Sequence, residues 1–242
     1  MERLQLSPVG DSSQYPEHIQ TRIQRQQALG EQRLRSGLAG YLGNLGFLDL
    51  CVGQVYKSLE ELGLIDNTIV IYTSDHGDML GDHGLWQKFV LYEASVAVPL
   101  IVSFPKTIPR GKVSRALVEF AGIYPTVAEL TETGAPKGID TKSFAAYAKD
   151  PERAGPAAAF SEYDLGAGVP QYMIRTQRYK YIHNDGQIDE LYDWEADPGE
   201  FINRAKDAGM KRTRDQLRDQ LFAWHDPSRN PFRPKSLPGR VL

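Results

Sequence analysis

Thr68-Ile-Val-Ile-Tyr-Thr-Ser-Asp-His-Gly-Asp-Met-Leu-Gly-Asp-His-Gly-Leu-Trp-Gln-Lys88 is the stretch on which the fold turns. Ile69, Val70, Ile71 and Tyr72 are apolar on both faces and mostly β-branched, the pattern expected of a buried central parallel strand. In open α/β sheets ligands gather beyond the carboxyl ends of such strands, which is where Asp75 and His76 arrive. A carboxylate and an imidazole side by side offer oxygen and nitrogen donors to a divalent cation, and Gly77 is expected to let the chain turn sharply beside them. Twelve positions after His76, Lys88 adds a cation able to hold an anionic substrate. Taken alone, a residue such as Asp75 more often caps a helix or forms a turn, and a solvated lysine beside Phe89 is the default reading of Lys88.

Working outward, residues 17–35 read as a weakly amphipathic helix and 38–62 as a better one. Leu45, Leu48, Val52, Val55, Leu59 and Leu62 recur at three- and four-residue steps and place an apolar stripe on one face. Gly63 is expected to end this helix, and Asp66-Asn67 to turn the chain into the strand. A second buried strand is expected at Pro99–Phe104, an edge strand at Val113–Val118, and a helix at Tyr124–Leu130 with Pro125 in its first turn. Residues 131–160 form a Pro-, Gly- and Ala-rich connection with one short helix around Ser143–Ala148. Beyond it the pattern changes to hairpins. Met173–Thr176, Tyr179–His183 and Glu190–Asp193 read as three short antiparallel strands, covered by an amphipathic helix at Lys211–Trp224.

Composition bounds the partners. With 242 residues and 41% hydrophobic content the chain is able to build a core, and a net charge of -3 gives no electrostatic reason to expect nucleic acid or an anionic membrane. The single cysteine, Cys51, excludes an intrachain disulfide framework. No long apolar run is present, and the opening residues lack the apolar core of a signal peptide. The compartment stays open between periplasmic, secreted and cytoplasmic.

The ordered set Ser74-Asp75-His76-Gly77, Gly81-Asp82-His83-Gly84, Lys88 and Pro99-Leu-Ile-Val resembles the second half of the sulfatase family, within the alkaline-phosphatase-like superfamily. The likeness continues through Ile123-Tyr-Pro-Thr126, Ile174-Arg-Thr176, Tyr179-Lys-Tyr-Ile182, Glu190-Leu-Tyr-Asp193, Asp197-Pro-Gly-Glu200 and Asn203, so that roughly residues 33–225 follow family order. It implies an α/β fold with a partial central sheet flanked by helices, plus a small C-terminal antiparallel sheet with a packed helix. The expected organisation is a lead-in at 1–32, partly disordered or helical, the α/β part at 33–160, a small α+β subdomain at 161–225 and a Pro-rich tail at 226–242.

The resemblance further implies hydrolysis of sulfate esters. Asp75 and His76 would hold a divalent metal, calcium being the expected ion and magnesium or manganese the alternatives. Lys88 would bind the sulfate, and His83 would orient the loop or approach the substrate, a plain surface histidine being the equal alternative. The family's nucleophile, a formylglycine made from cysteine in Cys/Ser-x-Pro/Ala-x-Arg, is missing: Cys51 has neither proline nor arginine at the required offsets. The chain therefore reads as the half that supplies metal- and sulfate-binding residues to a sulfated small molecule or glycan. A complementing N-terminal half or an oligomer would then be needed to cover exposed sheet edges and helix faces. Hydrolysis of phosphate or phosphonate monoesters in the same superfamily, or a non-catalytic truncated product or sulfated-glycan-binding remnant, are the alternatives.

Overall fold

The computed structural model describes residues 6–134, 137–164 and 168–225. The Pro-rich tail expected at 226–242 lies outside them. The chain divides into two compact units that interleave in sequence. The first is built from Leu29–His76 and Val98–Ala157, the second from Ser7–Ala28, Gly77–Ala97 and the chain from Ala158 onward.

In the first unit, residues 31–61 form one continuous helix, α2 (Glu31–Glu61), preceded in the chain by α1 (Glu17–Gln27) of the second unit. Its end is a Schellman motif: Gly63 adopts φ 66°, its N–H donates to Glu60 O at 3.0 Å, and the Leu64 N–H donates to Leu59 O at 2.9 Å. No residue of α2 is buried. The apolar stripe is nevertheless real, with Leu45 at 44%, Val55 at 63% and Leu62 at 70% exposure, so the exposed helix face expected from the sequence is present.

The strand that opened the reading corrects one expectation. β1 (Val70–Thr73) pairs antiparallel, not parallel, with β2 (Leu100–Ser103), in register from Val70↔Ser103 to Thr73↔Leu100. A parallel return commonly runs through a crossover helix, and the only α-helix between the two strands is the four-residue α3 (Glu93–Val96). Neither strand is fully buried, and Ile101 is 61% exposed, because a two-stranded ribbon leaves most of its faces uncovered. The expected edge strand at Val113–Val118 does not form a ladder. A small core gathers Ile108, Leu130 and Ala145 with Ile69, Val102, Phe104 and Ala148. It is pinned by α4 (Ile123–Leu130) and α5 (Ala145–Lys149): buried Thr126 donates to Gly122 O at 2.6 Å and accepts from Phe144 N at 2.8 Å.

The second unit holds a four-stranded antiparallel sheet, β3 (Ala158–Tyr163), β4 (Gln171–Thr176), β5 (Tyr179–Asn184) and β6 (Glu190–Asp193), in that order. Three of these strands match the sequence reading. The fourth, β3, lay hidden in the Ala-rich connection. Alternation along the strands sends side chains to two cores. Tyr172, Ile174, Tyr181 and Leu191 meet Leu217 and Leu221 of α6 (Lys211–Trp224) on one face. Met173, Ile182 and Tyr192 meet Ile19 and Ile23 of α1 together with Met79, Leu85, Val90, Leu91 and Tyr92 on the other. The segment following Asp75 and His76 is thus packed onto the C-terminal sheet, and Tyr15 of the lead-in, 1% exposed, is part of the same core. No described helix is long and apolar enough to cross a membrane.

Candidate functional site

Asp75 and His76 follow directly on β1. The Ser74 hydroxyl donates to His76 O at 2.7 Å and the His76 N–H donates to Asp75 Oδ1 at 3.0 Å, a turn built from the residues' own polar groups. Asp75 Oδ2 lies 3.6 Å from His76 Nε2, and the Asp75 side chain is 79% exposed. The donors fit a divalent cation in kind, one hard carboxylate and one imidazole, with open space around them. Among the described residues no cluster of three His, Cys, Asp or Glu side chains that could hold a metal ion forms around the pair. Gly77 serves a purpose other than the sharp turn expected of it. Its N–H donates to Ser95 O at 2.8 Å, and a Cβ there would sit 2.0 Å from Ala94 O, so no other residue lets these two backbones approach so closely.

His83 and Lys88 belong to the second unit. The structure corrects the surface position weighed for His83: its imidazole is 3% exposed, stacked on Tyr92 at 4.6 Å and on Phe201 at 4.8 Å between ring centroids. Nδ1 lies 2.8 Å from the oxygen of the Tyr15 hydroxyl, whose one proton is donated to Val9 O. These contacts suit the loop-orienting half of the expectation for His83 and leave its imidazole buried away from solvent. Burial pulls its pKa down from 6.5 to about 4 against the opposing pull of Asp82 and Asp197. The folded state therefore refuses a proton that the unfolded chain accepts between pH 6.5 and about 4. Stability is lost as the pH falls through that window, by about 3 kcal/mol at completion. Urea unfolding at pH 7 and pH 4.5 checks this against His83→Phe, which keeps the stacking: the wild type should lose the more, and equal losses would refute it.

Lys88 is half-buried, its Nζ 5.3 Å from the centre of the Phe89 ring. The loop that carries it is unusually bent. Leu80, His83, Gln87 and Phe89 all adopt positive φ without being glycine, each at a cost of about 1–3 kcal/mol that the surroundings must outweigh. Asp78 is one compensation: its Oδ1 accepts from Leu80 N and Gln87 N, both at 3.0 Å.

Behind the loop lies a group of ions that the sequence does not advertise. Lys180, fully buried, places Nζ 2.6 Å from both Glu93 Oε1 and Glu200 Oε1 and donates to Leu91 O. Arg175 adds a second cation to Glu93 at 3.2 Å. Burial alone would raise the Glu93 pKa, but Lys180 and Arg175 outweigh it and hold it low. Glu190, 1% exposed, accepts from the Tyr92 and Tyr192 hydroxyls at 2.6 Å each and from Asn184 at 2.9 Å, and burial pushes its pKa up. Lys180 thus joins Glu93 of α3 to Glu200. Alternating charge in strand sequences is a weak cue, because it commonly marks a solvated face.

Comparisons with known proteins place the chain in a family. The sulfatase family model matches residues 5–133, and the model for the C-terminal part of N-sulphoglucosamine sulphohydrolase matches residues 81–226. An N-acetylglucosamine-6-O-sulfatase of Bacteroides thetaiotaomicron is 34% identical over 73% of this chain, which spans 33% of that relative's length. A protein solved in complex with its substrate D-glucosamine-2-N,6-O-disulfate superposes with a TM-score of 0.73 at 31% identity, over 81% of this chain and 42% of the other. The phosphonate monoester hydrolase of Agrobacterium radiobacter does so with 0.66 at 27% identity, over 73% and 38%. The α/β fold is accordingly the alkaline-phosphatase-like one. The chain belongs to the sulfatase family.

Proposed function

We propose that this chain is the metal- and sulfate-binding part of a sulfatase that hydrolyses sulfate esters, with the nucleophile supplied by polypeptide outside these 242 residues. The observation that carries the reading is the solvent-facing Asp75–His76 pair at the end of β1, in a family match that spans nearly the whole chain. Asp75 and His76 would hold a divalent cation, calcium in this reading. Such a cation withdraws charge from sulfuryl oxygens and favours departure of the leaving oxygen. Lys88 would offer a positive charge to the oxygens of a sulfate group, worth most in a site from which water is excluded. The relatives that act on sulfated glucosamine favour a sulfated glycan as substrate.

The test is Lys88→Ala in the assembled protein. It is expected to lower kcat/KM for 4-nitrophenyl sulfate about 100-fold or more, in line with removal of one preorganised donor. An unchanged value would remove Lys88 from the site. The likeness to a phosphonate monoester hydrolase keeps tetrahedral phosphorus esters as the second reading, and the same assay with 4-nitrophenyl phosphate separates the two.

A further inference from the structure

The loop 86–89 is held from below by a residue outside the sequence motifs. Arg22, half-buried on α1, donates from Nη1 to Phe89 O at 2.9 Å and from Nη2 to Lys88 O at 2.8 Å and Trp86 O at 3.4 Å. Three carbonyls converge on one guanidinium only because Gln87 at φ 66° and Phe89 at φ 78° bend the backbone on both sides of Lys88. A left-handed Phe is costly, and a planar cation bonded to its carbonyl is the kind of compensation that keeps it there. Arg22 also lies over the Phe89 ring, its Cζ 5.9 Å from the centre, while Lys88 Nζ approaches the same ring at 5.3 Å.

We infer that Arg22 is a positioning residue for Lys88: it fixes the strained 86–89 backbone so that the Lys88 ammonium is presented in one place for the sulfate group. This rests on the reading of Lys88 as the sulfate-binding lysine. Removing Arg22 leaves Lys88 chemically intact but free to follow a relaxed loop, and a charge misplaced by about 1 Å costs about 100-fold in a preorganised site.

The experiment titrates inorganic sulfate into the assembled protein by calorimetry, comparing wild type, Arg22→Gln, Arg22→Lys and Lys88→Ala, with thermal melting of each sample. Arg22→Lys keeps the charge and stem but lacks the planar fork. Both Arg22 variants are expected to weaken sulfate binding about 10- to 100-fold at nearly unchanged melting temperature, with millimolar guanidinium restoring part of the loss in Arg22→Gln. If Arg22→Gln melts early, Arg22→Lys decides. Wild-type sulfate affinity in a folded Arg22 variant, with affinity lost in Lys88→Ala, would overturn the role of Arg22 and leave Lys88 standing. Wild-type affinity in Lys88→Ala would overturn the reading of Lys88 and this inference with it.

Discussion

Asp75→Ala in the assembled protein is expected to lower sulfate ester hydrolysis roughly 1,000-fold and to abolish stoichiometric metal, with the melting temperature almost unmoved. The direction on stability follows from exposure. The Asp75 carboxylate is 79% exposed and its hydrogen bonds reach only its immediate neighbours, so the folded state loses little when it goes. The direction on activity follows from the donor set. In the proposed Asp75–His76 pair the carboxylate is the one charge-neutralising donor, and deleting it leaves a neutral imidazole. Metal content by mass spectrometry and turnover by product release check both halves. An Asp75→Ala protein that retains its metal and its rate would show that the carboxylate only shapes the turn after β1.

The opposite profile is expected at Lys180. Lys180→Met should cost the second unit about 3–5 kcal/mol, because it leaves the carboxylates of Glu93 and Glu200 with less compensation in a buried site. Glu200 suffers most: its carboxyl is 2% exposed, burial already raises its pKa, and its remaining partner is the Glu93 N–H at 2.8 Å. Glu93 keeps Arg175. Lys180→Met with Glu200→Gln should therefore recover a good part of the loss, since the second change removes the stranded charge. Urea unfolding of the single and double variants measures the coupling, and additive losses would show that the ion cluster contributes nothing beyond packing. Since Glu93 opens α3, amide exchange at Ser95 and Val96, whose N–H groups donate to Tyr92 O, should quicken in Lys180→Met.

Sequence legibility followed the reach of each interaction. Local signals were read well: Gly63 ends α2 through a Schellman motif, Lys211–Trp224 is α6, and β4, β5 and β6 carry the alternation that announces them. Composition reports an apolar strand but not what covers it, so the strand at 70–73 looked buried and is only half-buried. Strand direction is set by the partner, and β1 pairs antiparallel although its composition suits a parallel neighbour. At the candidate site, Asp75, His76 and Lys88 stood out through residue type and spacing. The residues that build the surroundings did not. Arg22 reaches its three carbonyls from more than sixty positions away, Lys180 meets Glu93 from more than eighty, and Asp78 turns its carboxylate to the backbone of its own loop. None of these leaves a local pattern, because their partners are backbone groups or distant charges.

Metal-dependent sulfate ester hydrolysis is the central claim, and the most direct measurement is the initial rate of the assembled protein on 4-nitrophenyl sulfate and 4-nitrophenyl phosphate, before chelation, after it, and after calcium is returned. Sulfate turnover that exceeds phosphate turnover, collapses on chelation and recovers with calcium is the predicted result. A rate indifferent to chelation, or a phosphate ester preferred over the sulfate ester, would contradict the account.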